Sequence, residues 1–196
     1  MKLIKNAVFL KSIDKISDYQ NYHLPEFVFV GWSNVGKSSL INMIANNSKL
    51  ARVSATQGKT KLINFFSFNY EFVLVDLPGY GYATTSKVES HKWEKMIQDY
   101  LEGSVNLAGA LLLVDVRHNP TEQDIQMLEY FTYHNIPVTV VATKYDKLKK
   151  SEKMKKISAI ANTFNLGVEN IYLCSSETAY GKDALIDRIY QFVSGD

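Results

Sequence analysis

A chain of 196 residues, 46% hydrophobic and 21% charged, with a formal net charge of +2, has the make-up of one globular domain that can bury a core without cross-links. The small net charge excludes a globally basic nucleic-acid binder, so any basic surface must be local. The single cysteine, Cys174, excludes an intramolecular disulfide framework and fits a reducing cytoplasm, and no apolar run has the length or flanks of a signal peptide or a membrane span.

In chain order, Ala7 to Ile13 reads as one N-terminal strand, followed by a polar, tyrosine-bearing linker to Pro25. Residues 1–25 are therefore expected to form an extension and 26–196 the main domain. Glu26-Phe27-Val28-Phe29-Val30 is a short apolar run rich in β-branched and aromatic residues, the pattern of a buried strand. Leu40, Ile41, Met43 and Ile44 continue as a helix that Asn46-Asn47-Ser48 ends. Leu62 to Phe68 and Glu71 to Val75 flank Asn69-Tyr70 as a hairpin. Val88, Met96, Ile97, Tyr100 and Leu101 predict a helix ending before Gly103, and Leu107 to Val116 a strand covered on both faces.

Thr121-Glu122-Gln123-Asp124 is a capping-box-like start for a helix with Ile125, Leu128 and Phe131 on one side. Pro137 to Thr143 is the next strand, and Met154, Ile157, Ala161 and Phe164 sit at helical spacing. Ile171 to Cys174 is the last strand, and Leu185, Ile189, Phe192 and Val193 mark a closing helix. This alternation predicts an α/β fold: a mostly parallel six-stranded sheet with one antiparallel strand and helices on both faces.

Ligands in such sheets sit beyond the carboxyl ends of the strands, where the informative motifs fall. Gly31-Trp32-Ser33-Asn34-Val35-Gly36-Lys37-Ser38 matches G-x-x-x-x-G-K-[ST] between a predicted strand and a predicted helix. Its glycines let backbone N–H groups turn inward as an anion-binding nest, and the helix N-terminus adds its positive dipole end. Lys37 would reach the β- and γ-phosphates of a nucleoside triphosphate, and the Ser38 hydroxyl would ligate magnesium. In Asp76-Leu77-Pro78-Gly79, the carboxylate can hold the magnesium shell while the Gly79 N–H meets a γ-phosphate. Thr60, within Gly58-Lys59-Thr60-Lys61-Leu62, is the candidate second protein ligand of the metal, in a loop able to report the nucleotide state. Lys37, Thr60 and Gly79 are thus the candidate catalytic groups, and Ser38, Thr60 and Asp76 the candidate metal ligands.

Thr143-Lys144-Tyr145-Asp146 decides the base. A carboxylate accepts two hydrogen bonds, and guanine offers two adjacent donors where adenine presents an acceptor beside a donor. The Lys144 stem would lie across the purine face, and Ser175-Ser176 would complete the pocket through backbone N–H groups. GTP and GDP are therefore the expected nucleotides, and Asp146 disfavours an ATP-dependent small-molecule kinase.

Together these motifs resemble the ordered motifs of translation-factor-type GTPases, which implies a Ras-like P-loop GTPase fold. More narrowly, Asn34–Asn42, Gly58–Phe66, Asp76–Ala83 with its Tyr-Gly-Tyr-Ala extension, and Asp115–Thr121 resemble the EngB (YihA/YsxC) family of bacterial GTPases over nearly the whole chain. The resemblance implies a G domain that acts in assembly of the large ribosomal subunit and is linked to normal cell division and septation. It also implies a cytoplasmic location, ribosomal RNA and proteins as partners, and no membrane; a monomer is expected. Trp32 departs from the family's usual Arg, and Gln57 from its frequent Pro. Tyr80 stands where Ras-like enzymes place a water-orienting glutamine, so slow intrinsic hydrolysis completed by a partner is expected, the alternative being a nucleotide-dependent binding module with little hydrolysis. Asn34 resembles the asparagine that ligates potassium in a subset of related GTPases, or else is a loop-stabilising amide. Seven lysines from Lys144 to Lys156, against Asp146 and Glu152, read as a solvated helix face or as a phosphate-contacting surface.

Overall fold

The structure, a computed structural model, describes residues 2–52, 62–81 and 87–194, with 87–93 described by their backbone alone. Seven strands form one sheet: β1 Ala7–Ile13, β2 Glu26–Gly31, β3 Ile63–Phe68, β4 Phe72–Asp76, β5 Leu107–Asp115, β6 Val138–Thr143 and β7 Ile171–Leu173. Their order is β1-β3-β4-β2-β5-β6-β7. β3 runs antiparallel to both its neighbours, and the remaining pairings are parallel. The helices are α1 Lys37–Ala45, α2 Lys87–Gly103, α3 Glu122–Tyr133, α4 Lys153–Thr163 and α5 Lys182–Ser194.

The expected count of six strands is corrected to seven. The N-terminal segment supplies the extra one, pairing with β3 from Ala7↔Phe68 to Ile13↔Ile63. A register shift between Phe9 and Lys11 breaks the ladder, and such a bulge with a lysine beside it blunts an exposed sheet edge. The hairpin falls where Asn69 and Tyr70 predicted it. Both take positive φ (51° and 57°), the backbone whose twist matches the flanking strands. Asn69 does more than turn the chain. Its Oδ1 accepts the N–H groups of Lys5 (2.8 Å) and Asn6 (3.1 Å), and its Nδ2 donates to the Leu3 carbonyl (2.8 Å) and the Tyr190 hydroxyl (2.9 Å).

Alternation along the central strands divides the core. Val28 and Val30 face the layer containing Tyr100, Phe131 and Ile160, from α2, α3 and α4. Phe27 and Phe29 face the layer containing Ile41, Ile44, Leu185 and Ile189, from α1 and α5. A strand covered on both faces has no reason to alternate apolar with polar residues, and β2 and β5 do not. At the amino end of the sheet, buried Glu26 accepts hydrogen bonds from the hydroxyls of Tyr19 (2.8 Å), Tyr100 (2.6 Å) and Ser104 (2.9 Å). This carboxylate ties the N-terminal linker and the far end of α2 to β2. Among the described residues no helix is long and apolar enough to cross a membrane.

Replacing Asn69 by Ala should lower the urea-unfolding free energy by about 1–3 kcal/mol, from the lost hydrogen bonds and the strained left-handed backbone. Asn69→Gly, which keeps the turn and loses only the side-chain bonds, should fall between that variant and wild type.

Candidate functional site

The carboxyl ends of β2, β4, β6 and β7 converge, and with them most of the predicted residues. The phosphate-loop motif spans the end of β2 and the start of α1. Gly36, the N-cap of α1, takes φ 109°, a conformation that L side chains rarely adopt, which turns the loop so that the first N–H groups of α1 face outward. Val35 is buried in the core beneath the loop, while Trp32 stays partly exposed with its ring edge-on to that of Tyr80 at 6.1 Å. Asn34 takes φ 62°; asparagine tolerates this left-handed conformation, so the loop's own geometry accounts for it.

Lys37 and Asp76 are both buried at the centre of the site. Burial lowers the pKa of the Lys37 ammonium, against the opposing pull of Asp76. Burial likewise raises the Asp76 carboxyl to about 6, against the opposing effects of Lys37 and of the hydrogen bond from Ser38. The Ser38 hydroxyl lies 3.4 Å from Asp76 Oδ2, and Asp76 Oδ1 is buried with no hydrogen-bond partner. An unsatisfied buried carboxylate oxygen costs about 1–3 kcal/mol or more, a penalty that a bound group can relieve. Hydroxyl and carboxylate oxygens are hard donors that suit magnesium. Among the described residues no three His, Cys, Asp or Glu side chains gather as a metal cage, so a cation on Ser38 and Asp76 would need further ligands from water and phosphate.

Leu77, Pro78 and Gly79 are buried beside this pair. A Cβ on Gly79 would lie 2.9 Å from both Lys37 Nζ and Ser33 Cα, so only glycine lets this backbone approach the phosphate loop. The loop and the segment after β4 are stitched together: Ser33 N–H donates to the Tyr80 carbonyl (2.8 Å) and Tyr80 N–H to the Gly31 carbonyl (3.3 Å). Gly58, Lys59, Thr60 and Lys61, like Gln57, Tyr82 and Ala83, lie outside the described residues. Leu62, the last of the predicted loop, is partly exposed just before β3.

The base-recognition motif closes the other side. A pocket of about 140 Å³ is lined by Leu40, Thr143, Lys144, Asp146, Ser176 and Glu177, among others. Ser175 plays a part different from the expected one. Its N–H donates to the Tyr180 carbonyl (3.0 Å), while its hydroxyl donates to Asp146 Oδ1 (2.6 Å). That hydrogen bond, helped by Lys147 at 3.0 Å, lowers the pKa of the Asp146 carboxyl and keeps it an acceptor. The Tyr145 ring packs on Tyr180 (4.8 Å) beneath Lys153 Nζ (4.0 Å).

Sequence reasoning missed how firmly the base motif grips the phosphate loop. The Thr143 hydroxyl lies 2.6 Å from the Val35 carbonyl, and Lys144 Nζ donates to the Asn34 carbonyl (2.8 Å) and pairs with Asp115 (2.9 Å). Asp115 also holds Arg117 through a two-pronged contact (2.9 and 2.7 Å). Partial burial raises the pKa of Asp115, but the hydrogen bonds from Arg117 and then Lys144 outweigh it and hold it down to about 2. The sequence signal for Asp115 was its place at the end of a central strand, the position that also marked Asp76. Asn42 was likewise unassigned: its amide brackets Ala51, accepting that residue's N–H (2.7 Å) and donating to its carbonyl (2.9 Å), where the chain leaves α1.

Residues 26–144 match the family described as 50S ribosome-binding GTPase. The chain is 46% identical over 191 residues to a probable GTP-binding protein EngB of Pelotomaculum thermopropionicum, covering 97% of this chain and 96% of that one. The chain belongs to the EngB family of GTPases. A second EngB relative, from Clostridium beijerinckii, is 48% identical over 188 residues and covers 95% of each chain. Among solved structures, a probable GTP-binding protein EngB superimposes with TM-score 0.68 at 20% identity, over 87% of this chain and 99% of that one. A point variant of Aquifex aeolicus Era bound to GDP and AlF4⁻ gives 0.69 at 23%, over 86% and 56%. At these identities the likeness concerns the fold, which for this EngB chain is the P-loop GTPase fold.

The lone thiol of this EngB chain, Cys174, is fully buried at the end of β7, and burial pushes its pKa up to about 12. At pH 8 the folded protein should give no reaction with Ellman's reagent over an hour, and one equivalent once unfolded in urea.

Proposed function

We propose that this GTPase is a magnesium-dependent, GTP-hydrolysing switch in the cytoplasm that acts in assembly of the large ribosomal subunit, and through it in normal cell division and septation. The observation that carries the nucleotide chemistry is the buried Lys37–Asp76 pair, with Asp76 Oδ1 left unpartnered beside the Ser38 hydroxyl. Ser38 and Asp76, with Thr60 as the third expected ligand, would hold the metal; when bound, magnesium neutralises phosphate charge. Lys37 contributes a second positive charge from a desolvated position, where it acts on phosphate oxygens more strongly than in water. The Gly79 N–H completes recognition of the terminal phosphate, and Asp146 takes the two donors of guanine. The ribosomal part of the reading rests on the family description. Lys149 and Lys150 before α4, with Lys153 and Lys155 in its first turn, offer a surface for RNA phosphates.

Hydrolysis by the isolated protein should be slow. Tyr80 occupies the glutamine position but is buried and donates its phenol to Asp124, so it does not orient an attacking water; groups supplied by a partner are worth ~10³–10⁵ in rate in related chemistry. The same observation favours a second reading, a nucleotide-dependent binding module with little hydrolysis. Single-turnover GTP cleavage with and without ribosomal subunits separates the two: stimulation by subunits supports the switch, and none supports the module. Stimulation by potassium but not sodium would show Asn34 to be a cation ligand as well as a loop former.

Sedimentation with ribosomal particles should show more protein bound with a non-hydrolysable GTP analogue than with GDP, and binding that weakens steeply as salt rises. Equal pelleting with both nucleotides would remove the switch reading. Asp146→Asn should shift preference from guanosine toward xanthosine triphosphate.

The pH dependence follows from Asp76, whose carboxyl holds its proton up to about pH 6 in the ligand-free fold. Its pKa is higher folded than unfolded, so ligand-free stability is greatest below about pH 4 for this group and is lost as pH rises through 6. Metal binding must displace that proton. Magnesium-dependent nucleotide affinity should therefore fall about tenfold per pH unit below 6, as read by titrating a fluorescent GTP analogue, while Asp76→Asn should bind weakly with no such slope.

A further inference from the structure

Tyr80 is the most constrained residue around the site that the proposed chemistry leaves without a role. Its phenol donates to Asp124 Oδ1 in a buried hydrogen bond. The other carboxylate oxygen of Asp124 accepts the N–H (2.7 Å) and hydroxyl (2.8 Å) of Thr121, forming the capping box of α3. Burial first, and then the Asp124 carboxylate, drive the pKa of the phenol far above its ordinary value, so it remains a donor at every working pH. Its backbone is the strip already seen to pair with Gly31 and Ser33 of the phosphate loop, and Gly79, whose backbone lies against Lys37, is the next residue back. A cavity of about 290 Å³ between α2 and α3 also borders Tyr80, along with Ile97, Leu101, Met127 and Tyr130. A phenol not tied to Asp124 has that space to swing into, taking its backbone with it.

We propose that Asp124 is a positioning residue for recognition of the terminal phosphate: by holding the Tyr80 phenol at the start of α3, it fixes the Gly79–Tyr80 backbone against the phosphate loop. The inference rests on the reading of Gly79 as the amide that meets that phosphate. A diphosphate touches the loop and the base pocket but not Gly79, so the tether acts on triphosphate binding and leaves diphosphate binding alone. It also makes α3 a lever, since any displacement of its N-terminus reaches Gly79 through a single side-chain bond.

The test is equilibrium titration with fluorescent GDP and with a fluorescent non-hydrolysable GTP analogue, in magnesium, on the full chain. Tyr80→Phe, which removes only the hydroxyl, should weaken the GTP analogue about 3- to 30-fold, the net worth of one such hydrogen bond, with GDP unchanged. Asp124→Leu should do the same, and the double variant should be no worse than either single one. Asp124→Asn, whose amide oxygen still accepts from the phenol, should restore the GTP-to-GDP ratio. Equal losses for both nucleotides or an unaltered ratio in Tyr80→Phe would each overturn the proposal. Gly79→Ala is the reference: if it leaves the ratio untouched, the reading of Gly79 is what fails, and the tether falls with it.

Discussion

An ammonium and a carboxylate lie buried together at the carboxyl end of the sheet, with one oxygen of the carboxylate facing no donor. Removing two charges from water costs several kcal/mol each, and their mutual attraction offsets this only when the remaining hydrogen-bonding positions are filled. Between Lys37 and Asp76 they are not all filled. The arrangement is a preorganised half-site, which phosphate and metal would complete in the proposed function. The glycines of the phosphate loop, the close approach of Gly79 and the dipole of α1 all act at the same point.

The surrounding construction keeps that half-site from collapsing. Thr143 and Lys144 fasten the phosphate-loop motif through the Val35 and Asn34 carbonyls, so the motif proposed to read the base also fixes the loop proposed to hold the phosphates. Asp115 holds Lys144 in that posture, and Ser175 orients Asp146. The two proposed recognition motifs are therefore one hydrogen-bonded unit spread over β2, β5, β6 and β7. A change at the base motif will be felt at the phosphate loop even where no ligand contact is lost.

The segment after β4 is built differently. Asp76 to Tyr80 follows β4, and the far end of α2 is pinned by Tyr100 and Ser104 to the buried Glu26. Near the site, the segment's contacts include the backbone hydrogen bonds from Leu77 to Phe29, from Tyr80 to Gly31 and from Ser33 to Tyr80, and the Tyr80–Asp124 contact.

Local pattern was enough to read the elements and the order of the motifs. Apolar runs without alternation marked strands covered on both faces, Asn69-Tyr70 marked the hairpin, Thr121–Asp124 marked a helix start, and the phosphate loop carried its chemistry in its spacing. Each is a short-range property, set by backbone sterics, capping or periodicity within about ten residues. Three things were settled only by tertiary packing. Ala7–Ile13, legible as a strand, joined the main sheet because β3 offered it a free edge, a pairing its own sequence cannot reveal. Ser175 serves Asp146 with its hydroxyl because the neighbouring loop claims its amide. Tyr80 and Asp124 met across 44 residues, as did Lys144 and Asn34 across 110. Residue type and spacing encode what a side chain can do, but the partner it does it with depends on where distant strands end, and that is decided when the sheet closes.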